Sequence, residues 1–281
     1  MRKVPTRRTA LLAIALAAAS AAGCGSGAEA GAGGGQAEGV AKAGVLKVGT
    51  TNNVRPYAYA ENGKLTGFEI ELMDAAAQRI GLRTSYVALD FSALLPAVNN
   101  RQFDVVSAAV GITPQRRKVV DFSDGYLAGY LGVLAAPGSG ITSDAASVRG
   151  KRIAVLQGSI QDANAGKFVP GAEIVRFPDS NSADLALKNR RVDGFFNDFE
   201  PNLAIAKKYP GLRLSQPFTV PSTDHPAGWG VRKGNSVLVG KLNGALKQVV
   251  ADGTWLRLYK KYFPESPVPG ADQLPPYTAK A

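Results

Sequence analysis

Sulfur and imidazole are scarce in this chain, which has one cysteine, two methionines and one histidine in 281 residues. A lone cysteine, Cys24, excludes an internal disulfide, so the fold must rest on its core. A lone histidine, His225, with no clustering of Cys, His, Asp and Glu, leaves no zinc or iron ligand set. No metal or other cofactor is expected, and a general acid or base would have to be something other than an obvious histidine. Long apolar runs are also missing. The segment "ALLAIALAAASAA" has 13 residues, short of the roughly 20 that a permanent membrane span needs.

That segment follows a basic stretch containing Arg2, Lys3, Arg7 and Arg8, and the pair reads as a secretory signal peptide over residues 1–23. It ends in "AAGC", which resembles the lipobox of bacterial lipoproteins, so Cys24 is expected to carry lipid and to anchor the chain on the outer face of the cell membrane. An ordinary export signal with an incidental cysteine is the competing reading. "TRRTALL" also resembles a twin-arginine signal without its usual aromatic residue. Residues 24–44, rich in Gly and Ala, read as a flexible tether. Four of the 33 Lys and Arg fall in the signal and none of the 22 Asp and Glu, so the net charge drops from +11 to +7 without it. The remaining charges are scattered, and no nucleic-acid partner is expected.

From Val45 to Pro264 the chain alternates strand and helix. "VLKVGTT" reads as a strand. "FEIELMDAAAQRIG" reads as an amphipathic helix with Ile70, Met73, Ala77 and Ile80 inward and the acids opposite. "RTSYVAL", a Ser-capped helix in "FSALLPAVNNRQ" and the strand "FDVVSAAV" follow. A second set repeats this order from "KRIAVLQGSIQ" through "VDGFFND" to the helix "PNLAIAKKYP", and "NRQFDVV" and "NRRVDGF" end the two sets alike. The alternation predicts an α/β fold with mostly parallel sheets flanked by helices. Periodicity alone leaves open one continuous sheet or two lobes. In such sheets ligands sit beyond the carboxyl ends of the strands, here Thr50–Asn53, Val110–Arg116, Gln157–Gln161 and Asn197–Asp198.

Within "DVVSAAVGITPQRRKVVDFSDGY" (104–126), Thr113-Pro114 reads as a helix start. Arg116, Arg117 and Lys118 then crowd the positive end of that helix, where carboxylates rather than cations are favoured. Two explanations stand from the residues alone: a surface arginine paired with an acid such as Asp121, or an arginine that a bound anion completes.

These blocks, with "KLNGALKQVVADGTWLRLYKKYF", resemble the bacterial extracellular solute-binding proteins of family 3, in the polar-amino-acid group, over residues 45–264. The resemblance implies a two-lobed Venus flytrap, the periplasmic-binding-protein fold, with a two-strand hinge. Lobe one would comprise 45–126 and 227–264, lobe two 130–222, and 265–281 would be a tail. It implies that Arg116 holds an α-carboxylate, bidentately, and that Asp198 holds an α-ammonium; the helix-cap role for Asp198 is the competing reading. Gln157, Ser159, Ile160 and Gln161 match the loop that closes over the ligand. Phe91 matches an aromatic that covers the ligand side chain, or else staples its own helix. Thr51 and Val54 match a loop touching the side chain, while Ala109 and Gly111 stand where hydroxyl residues are common, as does Ala108.

The implied function is capture of a polar amino acid and its delivery to an ABC permease and its ATPase, by a monomer with no catalytic residue. A sensing receptor and a dehydratase-like enzyme are the alternatives. Thr51 in place of an acid predicts a neutral side chain, glutamine first, with Asn52, Asn53 and Gln161 as amide partners. Arg55 turned into the cleft would instead favour an acidic one.

Overall fold

The computed structural model describes residues 39–211, 213–221 and 224–279. The signal segment 1–23, Cys24 and the first part of the tether lie outside the described residues. Strand β1 (Val45–Thr50) leads through the small hairpin strands β2 (Asn53–Val54), β3 (Ala58–Glu61) and β4 (Lys64–Thr66) into helix α1 (Phe68–Arg79). There follow β5 (Arg83–Ala88), α2 (Phe91–Asn99), β6 (Val105–Val106), α3 (Pro114–Val119) and β7 (Val120–Leu127). The second unit contains β8 (Tyr130–Ala135), β9 (Arg152–Leu156), α4 (Ile160–Ala163), α5 (Ala165–Phe168) and β10 (Glu173–Phe177). It continues with α6 (Ser180–Lys188), β11 (Gly194–Asp198), α7 (Phe199–Lys208) and β12 (Arg213–Pro221). The chain then returns through β13 (Ala227–Arg232) to α8 (Ser236–Ala251) and α9 (Thr254–Tyr262).

Two five-stranded sheets result, in the orders β5-β1-β6-β13-β7 and β10-β9-β11-β8-β12. Each has three parallel strands, then one antiparallel strand (β13 or β8), then an edge strand that runs with the first three, so the sheets are copies of one pattern. The fold is two-lobed. Each sheet buries apolar clusters on both faces: Phe195 and Phe196, adjacent in β11, enter opposite clusters as the two-residue period of a strand requires. The chain crosses between lobes twice, at Ala128–Gly129 and between β12 and β13. Because β7 pairs with β13, and β8 with β12, the two crossings lie side by side as a hinge.

Four expectations need correction. Helix α1 is buried over a wide face that includes Phe68, Leu72 and Ala76, and Glu69 is fully buried within it rather than opposite the core. Helix α2 begins at Phe91 with Asp90 as its N-cap and no side-chain cap, so Ser92 lies two residues past the capping position. Gly39–Gly44 is packed rather than loose: Val40 belongs to the lobe-one core, the Ala41 N–H donates to Asp104 Oδ1 at 2.8 Å and Asn235 Nδ2 to the Gly39 carbonyl at 2.7 Å. The end of the chain folds back as well. The Gly125 and Tyr277 N–H groups donate to each other's carbonyls at 2.9 and 2.8 Å, and Ser266 is buried.

Candidate functional site

Loops at the carboxyl ends of β1, β6, β9 and β11 converge between the lobes. They enclose a cavity of about 50 Å³. Lobe one contributes Thr51, Val54, Tyr57, Phe91, the Ala108–Gly111 loop and Arg116 to its lining. Lobe two contributes Leu156, Ser159, Ile160, Gln161, Asn197 and Asp198. Gln157, expected in this group, is not among the lining residues; its side chain is exposed, and its N–H donates to the Phe177 carbonyl in a strand extension. Asn52, Asn53 and Arg55 face a neighbouring cavity of about 390 Å³ instead. Arg55 pairs there with Glu61 at 2.8 Å and lies 3.7 Å over the Tyr59 ring, so it does not turn into the site.

Arg116 bridges the lobes. Thr113 Oγ1 caps α3 by accepting from the Arg116 N–H at 3.2 Å, which takes one of the turn's free donors. The guanidinium donates from Nη1 to the Gly111 carbonyl at 2.7 Å and from Nη2 to the Gly158 carbonyl of lobe two at 2.8 Å. Asp121 is not its partner: that carboxylate binds Lys233 at 2.8 Å. Burial alone moves Arg116, down to about 10. Buried cations without a countercharge are costly, and carbonyl dipoles offset only part of this penalty. The Arg116 carbon Cζ also lies 5.6 Å from the Phe91 ring centroid, which places Phe91 at the site.

Asp198 faces the same cavity from the end of β11. It is the backbone N-cap residue of α7, but its side chain makes no cap bond. Gln161 Nε2 donates to Asp198 Oδ1 at 2.6 Å. Burial first, and the Glu200 charge second, raise the Asp198 carboxyl to about 7. Ser159 Oγ caps its own helix by accepting from the Asp162 N–H at 3.1 Å, which leaves its O–H proton to donate toward the cavity. A Cβ at Gly111 would stand 2.1 Å from Ile160 Cδ1, so the missing hydroxyl residue there matches the isoleucine facing it from lobe two. Ala109 has φ 49, in the left-handed region that side chains rarely adopt.

Tyr57 and Leu156 were not singled out as site residues from the sequence, and Asn197 was placed there only as part of the segment that ends β11. Asn197 Nδ2 is buried with no hydrogen-bond partner among the described residues. Tyr57 could have been sought as an aromatic in the loop after β2, and Asn197 as the neighbour of Asp198. Leu156 carries no signal beyond ending an apolar strand. The histidine is not at the site, since His225 lies between β12 and β13 and is absent from the cavity lining.

Residues 46–265 match the family model of bacterial extracellular solute-binding proteins, family 3, and the chain belongs to that family. Among curated relatives, the lysine/arginine/ornithine-binding periplasmic protein of Escherichia coli K12 is 28% identical over 78% of this chain and 87% of its own. The glutamine-binding protein GlnH of Bacillus subtilis 168 is 29% identical over 73% of this chain and 76% of its own. Among solved structures, an ancestral arginine-binding protein bound to glutamine superposes with a TM-score of 0.73 at 35% identity, covering 79% of this chain and 99% of that one. The family is extracytoplasmic, and among the described residues no helix is long and apolar enough to cross a membrane.

Proposed function

We propose that this chain captures a polar amino acid between its lobes and delivers it to a membrane ABC importer, kept close to the permease by lipid on Cys24. One observation carries the reading. Arg116 and Asp198 line one cavity from opposite lobes, and among the described residues neither has a charged partner of opposite sign. A zwitterion completes both: its carboxylate displaces the carbonyls from the guanidinium fork, and its ammonium supplies the cation that Asp198 lacks. The relatives' names, which specify lysine, arginine, ornithine and glutamine, support amino acids as the class. A cavity of about 50 Å³ is small beside the roughly 300–1,000 Å³ of ligand pockets. Entry therefore requires the lobes to part about the hinge, and ligand then favours reclosure.

Glutamine is the first choice. Thr51 supplies no countercharge for a cationic side chain, Arg55 is held outside by Glu61, and Val54, Tyr57 and Phe91 suit an aliphatic stem. A thermal-shift screen of the common amino acids, followed by calorimetry, tests this. Stabilisation by none of them rejects the functional reading, and arginine binding tenfold tighter than glutamine rejects the specificity. Membrane fractionation of the wild type and Cys24→Ala tests the anchor: loss of membrane association in the variant is expected, and unchanged association rejects lipidation. An enzymatic reading is favoured by one feature, a carboxyl at about 7 in the cleft, suited to proton transfer. One solved relative, 29% identical, is described as an ancestral amino acid-binding protein that is a precursor of cyclohexadienyl dehydratase. Product formation from small cyclic acids would support that reading against simple binding.

A further inference from the structure

Beneath the lobe-one side of the cleft lies a carboxylate that the binding scheme above does not use. Glu69, in the first turn of α1, is fully buried. Its Oε2 accepts from Ser107 Oγ at 2.7 Å and from the Tyr126 hydroxyl at 2.6 Å. No cation pairs with it among the described residues, and Oε1 has no hydrogen-bond partner. The Ala109 backbone N–H nonetheless favours its ionised form, together with the Tyr126 and Ser107 donors, while burial raises it to about 6. A buried acid held only by neutral donors is an expensive arrangement, and both ends of this one are mechanically placed.

At one end is the Ser107–Gly111 loop. Ser107 Oγ also donates to the Glu69 carbonyl at 3.3 Å, and Thr50 Oγ1 donates to the Ser107 carbonyl at 2.6 Å. Two residues on, Ala109 sits in its left-handed conformation, and Gly111 presents the carbonyl that grips Arg116. This loop offers its alanines and glycine without hydroxyls, so its shape is what the cleft can use. At the other end is the hinge. Tyr126 is in β7, two residues before the first crossing, and stacks on Trp229 of β13 with ring centroids 4.9 Å apart. Trp255 Nε1 holds the Tyr126 carbonyl at 2.8 Å.

We propose that Glu69 is a positioning residue for ligand capture: it holds the Ser107–Gly111 loop in its binding shape and joins that loop to the hinge strands through Tyr126. That this shape serves an amino acid rests on the function proposed above. The coupling of loop to Glu69 does not.

Two readouts separate them. Backbone amide resonances of Ser107 and Ala109 are followed by NMR in the full chain from pH 5 to pH 8. Other ionisable groups interacting with Glu69 are Tyr126 from β7, Tyr57 from the hairpin loop, Tyr86 from β5 and Asp198 from lobe two. The tyrosines stay protonated over this range, and Asp198→Asn removes the remaining competitor. The Ala109 amide should titrate with a midpoint of about 6 in wild type and in Asp198→Asn, and not in Glu69→Gln. Calorimetry should find that Glu69→Gln weakens the amino acid that stabilises wild type by at least tenfold at pH 7.5. Should Glu69→Gln fail to fold, Ser107→Ala and Tyr126→Phe each remove one donor and should raise the Ala109 midpoint. Ala109 shifts that ignore every substitution, or altered shifts with unchanged affinity, overturn the proposal. If wild type binds no amino acid, the functional reading fails, and the amide titration alone decides whether Glu69 sets the loop.

Discussion

The Tyr57 hydroxyl of lobe one donates to Glu200 Oε2 of lobe two at 3.1 Å. Both side chains are buried, and Ser266 Oγ, beyond the last helix, donates to the other Glu200 oxygen at 3.3 Å. Among the described residues the lobes are thus joined here, where Arg116 reaches Gly158, and where Asn53 Nδ2 donates to Asp179 Oδ1 at 3.4 Å. Only the second contact competes with a ligand carboxylate. The first remains to hold the closed form once ligand has taken the guanidinium.

Tyr57→Phe should therefore shift the molecule toward the open form and weaken ligand binding roughly three- to tenfold, in line with about 1 kcal/mol for a net hydrogen bond. The check is calorimetry with small-angle scattering of the unliganded and liganded protein. Unchanged affinity and shape would mean that the bond adds nothing to closure.

Arg116→Ala and Asp198→Ala should each reduce affinity at least a hundredfold, because each deletes a charged hydrogen-bonding partner worth about 1.5–3 kcal/mol or more. Melting temperature should hold, since both side chains are only half-buried and no opposite charge pairs with either among the described residues. Arg116→Lys should rescue little, as an ammonium lacks the planar fork. Calorimetry and thermal melts on the same samples decide this.

Asp198 at about 7, with Glu69 and Asp184 at about 6, sits above the ordinary carboxylate range through burial. Between about pH 4 and 7 the native state then binds more protons at these sites than the unfolded chain, so their contribution to stability falls as pH rises. Ligand reverses the sign, because an ammonium favours ionised Asp198. Affinity should be about tenfold weaker at pH 6 than at pH 8, and Asp198→Asn should flatten that part of the profile. Melts with and without ligand across this range supply the measurement.

Gly111→Ala should impair closure, since its Cβ would meet Ile160 Cδ1 at 2.1 Å. Ile160→Ala in the same chain should recover much of the loss. A double-mutant cycle in ligand affinity should give a coupling of about 0.5–3 kcal/mol; additive effects would show that the two residues act separately.

The α/β class was legible because strand and helix alternate with clean turns, whereas two lobes rather than one continuous sheet came only from the resemblance carried by the motif blocks. Arg116 and Asp198 were singled out through the resemblance of the motifs around them, and the structure brings both to one cavity. Glu69 was not: a count of apolar spacing places an acid outward by default, and only the hydroxyls of Ser107 and Tyr126, distant in sequence, make its burial tolerable. Tyr57 and Glu200 meet across 143 positions of chain, a pairing that local periodicity does not encode. Gln157 failed for the opposite reason. It lies within a matched motif, yet its exposed side chain is outside the cavity lining that includes Ser159, Ile160 and Gln161.

The Gly125–Tyr277 bridge fastens the trailing segment beside the crossing point, in a stretch beyond the 46–265 covered by the family model. In a swinging door, what is screwed to the pin keeps its place while what is screwed to the leaf travels. A fluorophore or fused passenger placed just past Thr278 would therefore ride on the axle and stay nearly blind to the swing. A reporter meant to read opening belongs where the leaves face each other, at Asn52 on one and Asn181 on the other, which line one cavity from opposite sides.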